Sequence, residues 1–185
     1  MPTLVLGLLT VLAAGAVALG LLLAPATPDL AVHNGAGETL LAPSLTAYYS
    51  SSEPRATVRI VYTAPDRLTE SLLAHGPGSR PVRSVTIKGS RAVKALQPFE
   101  QLQQITGFTA RGARFVAVQQ ASALVPADEA SQISGSVVYS AALSGGYLVD
   151  VLDRFRVTTP SGTERGTDHY RVTSIGGQPV TAPPG

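Results

Sequence analysis

The side chains best suited to catalysis or metal binding are His33, His75, His169 and a scatter of carboxylates, and their spacing argues against both uses. A helical zinc site needs histidines four residues apart so that both imidazoles share a face, and none of the three has such a partner. Asp168 stands beside His169, the pairing a hydrolase uses to orient its base, but adjacent residues of an extended strand point to opposite faces. Two independent strand side chains are the preferred reading. Asp128–Glu129 and Asp150/Asp153 lack the surrounding signals of a glycosidase or metal site and read as solvated loop or strand-edge charges. No Gly-x-Ser-x-Gly elbow, Ser-x-x-Lys pair or phosphate-binding glycine loop occurs. With no cysteine there is no disulfide, thiolate metal site or Cys nucleophile. The expectation is a non-catalytic protein with no catalytic residue, metal site or cofactor.

The stretch that organises the rest is Thr57 to Leu68. Val58, Ile60 and Tyr62 alternate with Arg59, Val61 and Thr63, the period of a half-buried strand. Proline has no amide hydrogen for a ladder and pushes the preceding residue toward extended geometry. Ala64, Pro65, Asp66 and Arg67 therefore read as a corner, with Arg67 to Leu73 returning as a second strand and Asp66–Arg67 as a local ion pair or cap. Gly76 to Ser79 makes a loop. Val82 to Lys88 is a strand with Val85 and Ile87 on one face, and after a reversal at Gly89-Ser90, Arg91 to Leu96 reads as its hairpin partner.

Pro98 to Phe108 spaces Phe99, Leu102 and Ile105 as a helical turn or lid. Arg114 to Gln119 reads as a strand, and Val125 to Ser131 as a loop or helical turn. Ile133, Val137 and Tyr139 alternate before the Ser144-Gly145-Gly146 turn. A long strand follows in which Tyr147, Val149, Val151, Phe155 and Val157 share a side. Asp153 interrupts that side, so the strand is expected to bulge or emerge into solvent there. Tyr170 and Val172 line the next strand, before a tail expected to fray.

No ionisable side chain precedes Asp29, and Leu4 to Ala24 is apolar but for Thr10, long enough to cross a bilayer as a helix. An uncleaved single-pass anchor is the expectation, with the domain extracytoplasmic, or secreted if Ala24-Pro25-Ala26 is cleaved. The domain division follows: 1–28 signal peptide or transmembrane anchor, 29–37 mobile linker, 38–178 β-rich domain, 179–185 flexible tail. Glu38 to Tyr49 carries Leu40, Leu41, Leu45 and Tyr48 at helical spacing and reads as a short amphipathic helix, with a break or start near Pro43.

The net charge of +2 is unevenly spread. Residues 54–96 carry Arg55, Arg59, Arg67, Arg80, Arg83, Lys88, Arg91 and Lys94 against Asp66 and Glu70. A solvated face that resists edge aggregation is preferred over a docking patch, and nothing supports nucleic-acid binding. The fold expectation is α+β, an antiparallel meander curved into a half-barrel with one or two covering helices, preceded by the N-terminal membrane helix.

The run Val61-Tyr62-Thr63-Ala64-Pro65-Asp66-Arg67-Leu68, followed by Thr86-Ile87-Lys88-Gly89, resembles the strand–Ala-Pro-Asp–strand–Gly pattern of periplasmic lipoprotein carriers of the LolA type and of the mycobacterial LppX/LprG lipoproteins. The resemblance implies a half-open barrel plugged by helices that carries lipid through the cell envelope. This chain lacks the lipobox cysteine of those lipoproteins, so an anchor would replace the lipid. Val58, Ile60, Tyr62, Leu68, Val85, Ile87 and Phe99 are then the candidate lining of a site for a lipid or other hydrophobic ligand. The alternative is a structural domain that docks an envelope protein through its basic sheet face.

Overall fold

The computed structural model describes residues 27–52, 55–94 and 96–184. The expected membrane segment lies almost wholly outside these. Among the described residues no helix is long and apolar enough to cross a membrane. The elements are α1 (Pro28–Leu40), β1 (Ser44–Ser52), β2 (Arg55–Thr63), β3 (Arg67–Leu73), β4 (Pro81–Lys88), α2 (Ser90–Lys94), α3 (Gln97–Leu102), β5 (Thr109–Arg111), β6 (Arg114–Gln120), a 3-10 turn (Ala121–Leu124), α4 (Ala127–Ala130), β7 (Ser134–Ser144), β8 (Tyr147–Thr159), β9 (Gly162–Ile175) and β10 (Gln178–Pro179).

One antiparallel sheet contains every strand, in the order β4-β3-β2-β1-β9-β8-β7-β6-β5, with β10 added beside the end of β9. Its two edges, β4 and β5, do not pair, so the sheet is unclosed. The expected β2–β3 hairpin forms with Tyr62 opposite Leu68. Its corner contains a cis Ala64–Pro65 peptide and is held by the Tyr62 hydroxyl, which donates to Pro65 O at 2.8 Å. Among the described residues Asp66 and Arg67 form no ion pair.

Because β4 and β5 sit at opposite edges, the chain between them must cross a whole face of the sheet. It crosses one face only, here called inner, and the apolar side chains Leu96, Phe99, Leu102, Ile105 and Phe108 are buried along that crossing. The helical turn expected around Phe99 is α3. The strand expected over Arg91 to Leu96 is corrected to a helix, Ser90–Lys94. Ala92 in this helix and Leu96 just beyond it are buried, which suits a chain leaving the sheet edge rather than one pairing with it.

Two N-terminal expectations are also corrected. The supposed linker is the 13-residue helix α1, and the supposed helix over Glu38–Tyr49 is β1, with Leu45 and Ala47 buried at strand spacing and Leu41 in solvent. Helix α1 starts where Thr27 Oγ1 accepts from the Leu30 amide, with Pro28 and Asp29 in the first turn. Val32, Gly35, Ala36 and Thr39 form its buried stripe. Thr39, wholly buried, donates to Gly35 O at 2.8 Å and accepts from the Leu148 amide at 2.9 Å, pinning the helix to the start of β8. Asp29 accepts from the Phe108 amide at 2.6 Å and the Gly107 amide at 3.1 Å, and His33 Nε2 donates to Ile105 O at 2.7 Å. The first helix therefore holds the crossing segment in place. The tail is also held: Gln178 pairs with Ile175, and the Val180 amide donates to Thr173 O.

Gly35 is required by this packing. A Cβ there would collide with Leu143 and press on the Gly146 carbonyl, whereas one at Gly37 would meet only the flexible end of Gln103, at 3.2 Å. Gly35→Ala is therefore expected to destabilise by about 1–3 kcal/mol. Gly37→Ala, by helix propensity, should be neutral or stabilising by up to about 1 kcal/mol. Chemical denaturation of both variants checks the contrast; equal effects would contradict it.

Candidate functional site

Strand β9 has 14 residues and α1 has 13. At strand and helix rises these are about 45 Å and about 20 Å respectively, so α1 alone cannot cover the whole inner face. Under the cover lies the core: Leu45, Ile60, Tyr62, Leu68, Val149, Val151 and Val172, all buried against α1 and the crossing segment. Beyond it, the inner face continues with Tyr49, Val58, Tyr139, Asp153, Phe155, Asp168 and Tyr170, each only partly exposed.

The register makes these side chains neighbours. Tyr139 stands opposite Asp153, Asp153 opposite Asp168, and Asp168 opposite Ser51, forming one row across β7, β8, β9 and β1. In the next row Tyr49 stacks on Tyr170 with centroids 4.6 Å apart, and Phe99 meets Tyr170 edge-on at 6.1 Å. The Tyr49 hydroxyl donates to Asp168 at 3.1 Å. Asp153 does not bulge into solvent as its sequence context suggested; it stays on the inner face, and its Oδ1 accepts no hydrogen bond among the described residues. Burial, and then the charge of Asp168, push its carboxyl up to about 7. Burial, and then Asp153, push the Tyr139 phenol up to about 12. Tyr170 is raised by burial and the neighbouring Tyr49, Asp168 and Asp153.

A groove of about 430 Å³ opens onto this region, lined by Gln101, Gln104, Ile105, Gln119, Ala123, Leu124 and Tyr139. It lies between the crossing segment and β6–β7, and Tyr139 links it to Asp153. Leu72, Val85 and Leu124 remain 41%, 43% and 41% exposed. The first two share the inner face with Val58 and Ile60 by register. The arrangement is an aromatic and aliphatic wall with acidic hydrogen-bond acceptors set into it.

The opposite, outer face carries a different constellation. Asp150, buried, accepts from Arg114 at 2.6 Å, His169 at 2.9 Å and Arg171 at 3.4 Å. Burial acts to raise its carboxyl, but the hydrogen bonds and charges of His169 and Arg114 outweigh this and bring it down to about 2. It ties β6, β8 and β9 together. As alternation requires, Asp168 and His169 do not meet: the first serves Tyr49 inside, the second Asp150 outside. Asp150 and Asp153 likewise lie on opposite faces. Among the described residues no cluster of His or carboxylates suits a metal ion.

All seven side chains proposed from sequence as a lining belong to the inner side of the domain. Ile60, Tyr62, Leu68 and Phe99 are buried in the core under the crossing segment; Val58 and Ile87 are half-buried at its margin, and Val85 is exposed. The Tyr139–Asp153–Asp168 row was not anticipated. Asp153 breaking an apolar alternation was its visible signal, but its partners depend on register between strands. His33 lies on α1, and His75 is in the β3–β4 loop beside a depression of about 380 Å³.

No protein-family model and no curated protein sequence matches the chain. Among solved structures it overlays on LprF from Mycobacterium bovis with a TM-score of 0.43 and 12% identity, covering 85% of this chain and 96% of that one. It also overlays on a short afifavidin–biotin complex with a TM-score of 0.25 and 11% identity, covering 76% and 98%. At these scores neither likeness assigns the chain a ligand.

The two buried carboxylates act on stability with opposite signs. Asp153, raised in the folded state, favours folding when protonated, so its contribution is lost as pH rises from the usual carboxylate range through about 7. A displacement of that size corresponds to at most about 4 kcal/mol. Asp153→Asn should remove this loss, becoming the more stable protein at about pH 8 but not at about pH 4. Identical pH profiles of melting temperature for the two proteins would contradict this. Asp150, depressed to about 2, contributes stability above the usual carboxylate range that is lost as pH falls toward that value. Asp150→Asn should cost about 3 kcal/mol at neutral pH, because Arg114 loses its buried counter-charge; a loss below about 1 kcal/mol would contradict the clamp.

Proposed function

We propose that this domain is a non-catalytic, membrane-tethered, extracytoplasmic module that binds an amphipathic ligand by its apolar chain along the uncovered inner face. The observation that carries it is the mismatch between the inner face and its cover: Leu72 and Val85 remain exposed on the side of the half-buried Tyr49 and Tyr170, and Leu124 beside the half-buried Tyr139 at the other side of the sheet. Apolar side chains left exposed along one sheet face, flanking half-buried tyrosines, supply the wall an apolar chain needs. Aromatic walls with a few convergent polar groups are the usual make-up of a small-molecule site.

The chemistry of the wall also selects the ligand's polar end. Glu70, Asp153 and Asp168 share the inner face by register, and Arg83, the basic strand side chain on that face, lies at the β4 edge, away from the Asp153–Asp168 row. An anionic headgroup would be repelled, whereas a hydroxyl or amine can donate to the open Asp153 oxygen. The ligand class is therefore a neutral or cationic amphiphile.

Full chain incubated with a fluorescent acylglycerol is expected to bind it, and to bind the matching fatty acid at least about tenfold more weakly at about pH 8. Leu72→Asp with Leu124→Asp should weaken acylglycerol binding about tenfold or more while the circular dichroism spectrum stays that of the folded sheet, since both side chains are surface positions 41% exposed. Absence of binding by the unaltered chain, or equal affinity for the fatty acid, would overturn the proposal.

A further inference from the structure

Apart from Arg83 at the β4 edge, the charged strand side chains of the inner face are acidic, and those of the outer face are mostly basic. Alternation and register put Arg59, Arg114, Arg154, Arg156, Arg165 and Arg171 on the outer face, and all but Arg114 are exposed there. Among the described residues the only acidic side chain on that face of the strands is Asp150, already buried and neutralised. The remaining outer positions are largely Ser and Thr, paired in ladders such as Thr69–Thr86 and Ser71–Ser84. Between the arginines lies an apolar depression of about 340 Å³, lined by Arg114, Val116, Val138, Ser140, Leu152 and Arg154. Beside it Val118 is 60% exposed.

The chain enters the domain at this same edge. Asp29, in the first turn of α1, binds the Gly107 and Phe108 amides, and the next residue, Thr109, pairs with Val116 of β6. Gln119 of β6 in turn donates to Thr106 O at 2.7 Å. Only Pro25 and Ala26 separate the apolar run Leu4–Ala24 from Thr27, and two residues reach at most about 7 Å. Since the supposed linker is part of the folded helix, no long tether separates the run from the domain.

We propose that the outer face of β6–β8 rests on an anionic phospholipid bilayer, with Arg154, Arg156 and Arg171 meeting lipid phosphates and Val116, Val118 and Val138 reaching the interface. Arginine suits phosphate by its fork of donors, and each cation near an anionic surface adds attraction that salt screens. An apolar centre ringed by cations fits that interface better than it fits bulk water. Docking in this way turns the inner face away from the bilayer. The proposal rests on reading Leu4–Ala24 as a membrane segment but not on what the inner face binds, so failure of either idea leaves the other standing.

The chain has no cysteine, so one introduced label reports one place. Full-length Val118→Cys, carrying an environment-sensitive dye, is reconstituted into vesicles of phosphatidylcholine alone or with phosphatidylglycerol and quenched with neutral acrylamide. Phosphatidylglycerol should lower quenching several-fold, high salt should restore it, and a control label at His75→Cys should not change. Arg154→Glu with Arg156→Glu, both at exposed positions, should cut the docked-to-free ratio by roughly fivefold per arginine while leaving the circular dichroism spectrum intact. Equal quenching in the two vesicle types, the result expected if this face serves a protein partner, would overturn the proposal. So would protection indifferent to salt and to the reversed arginines.

Discussion

The fold depends on one connection. A sheet whose consecutive strands β4 and β5 end at opposite edges forces the intervening chain across a face, and that crossing decides which face becomes the core. The crossing segment is short, so it buries Leu68 wholly and Tyr62 and Ile60 nearly so, but leaves the remainder of a sheet of long strands to find other partners. Helix α1 reinforces the same region, holding the segment through Asp29 and His33. The result is a sheet packed at one part of its inner face and half-open at the other, with edges left unpaired. The outer strand β4 is exposed along nearly its full length and carries Pro81, Arg83 and Lys88, the residue types that discourage further strand addition.

Charge follows the same division. Inner positions beyond the core hold carboxylates and phenols in low-dielectric surroundings, which brings the titration of Asp153 up to about 7 and keeps Tyr139 firmly protonated. Outer positions hold guanidinium groups in water, where a single buried carboxylate organises three of the basic side chains. A chain of nearly balanced net charge is thus strongly polarised across one sheet, a property that composition hides. The face turned toward a ligand and the face turned toward a surface need not share chemistry, because the pleat sends neighbouring residues to opposite sides.

Much of the sheet was legible in the sequence. Strict alternation through Val58, Ile60 and Tyr62, with Pro65 at the corner, marks the β2–β3 hairpin, and the Ser144-Gly145-Gly146 turn marks β7–β8. Helix α1 was not legible, because Asn34, Gly35 and Gly37 argue against a helix, and the reason for Gly35 is a tertiary contact with Leu143 that no local pattern reveals. The crossing segment was misread in part because Gly89-Ser90 looks like a hairpin turn until the position of β5 at the far edge is known. At the site, Asp153 announced itself as an interruption, yet whether it faced water or a neighbouring Asp168 depended on pairing between strands. The LolA-like string at Val61–Leu68 occupies the hairpin that the structure contains, but the open part of the inner face is built largely from β1, β7, β8 and β9.

The central claim, that the uncovered inner face holds an apolar chain, is tested most directly by irradiating the full chain with a neutral acylglycerol that carries a diazirine in its acyl tail and mapping the adducts by peptide mass spectrometry. Within the folded domain, adducts are predicted at Tyr139, Phe155 and Tyr170. Adducts confined to outer-face peptides, or absent from the domain, would contradict the claim.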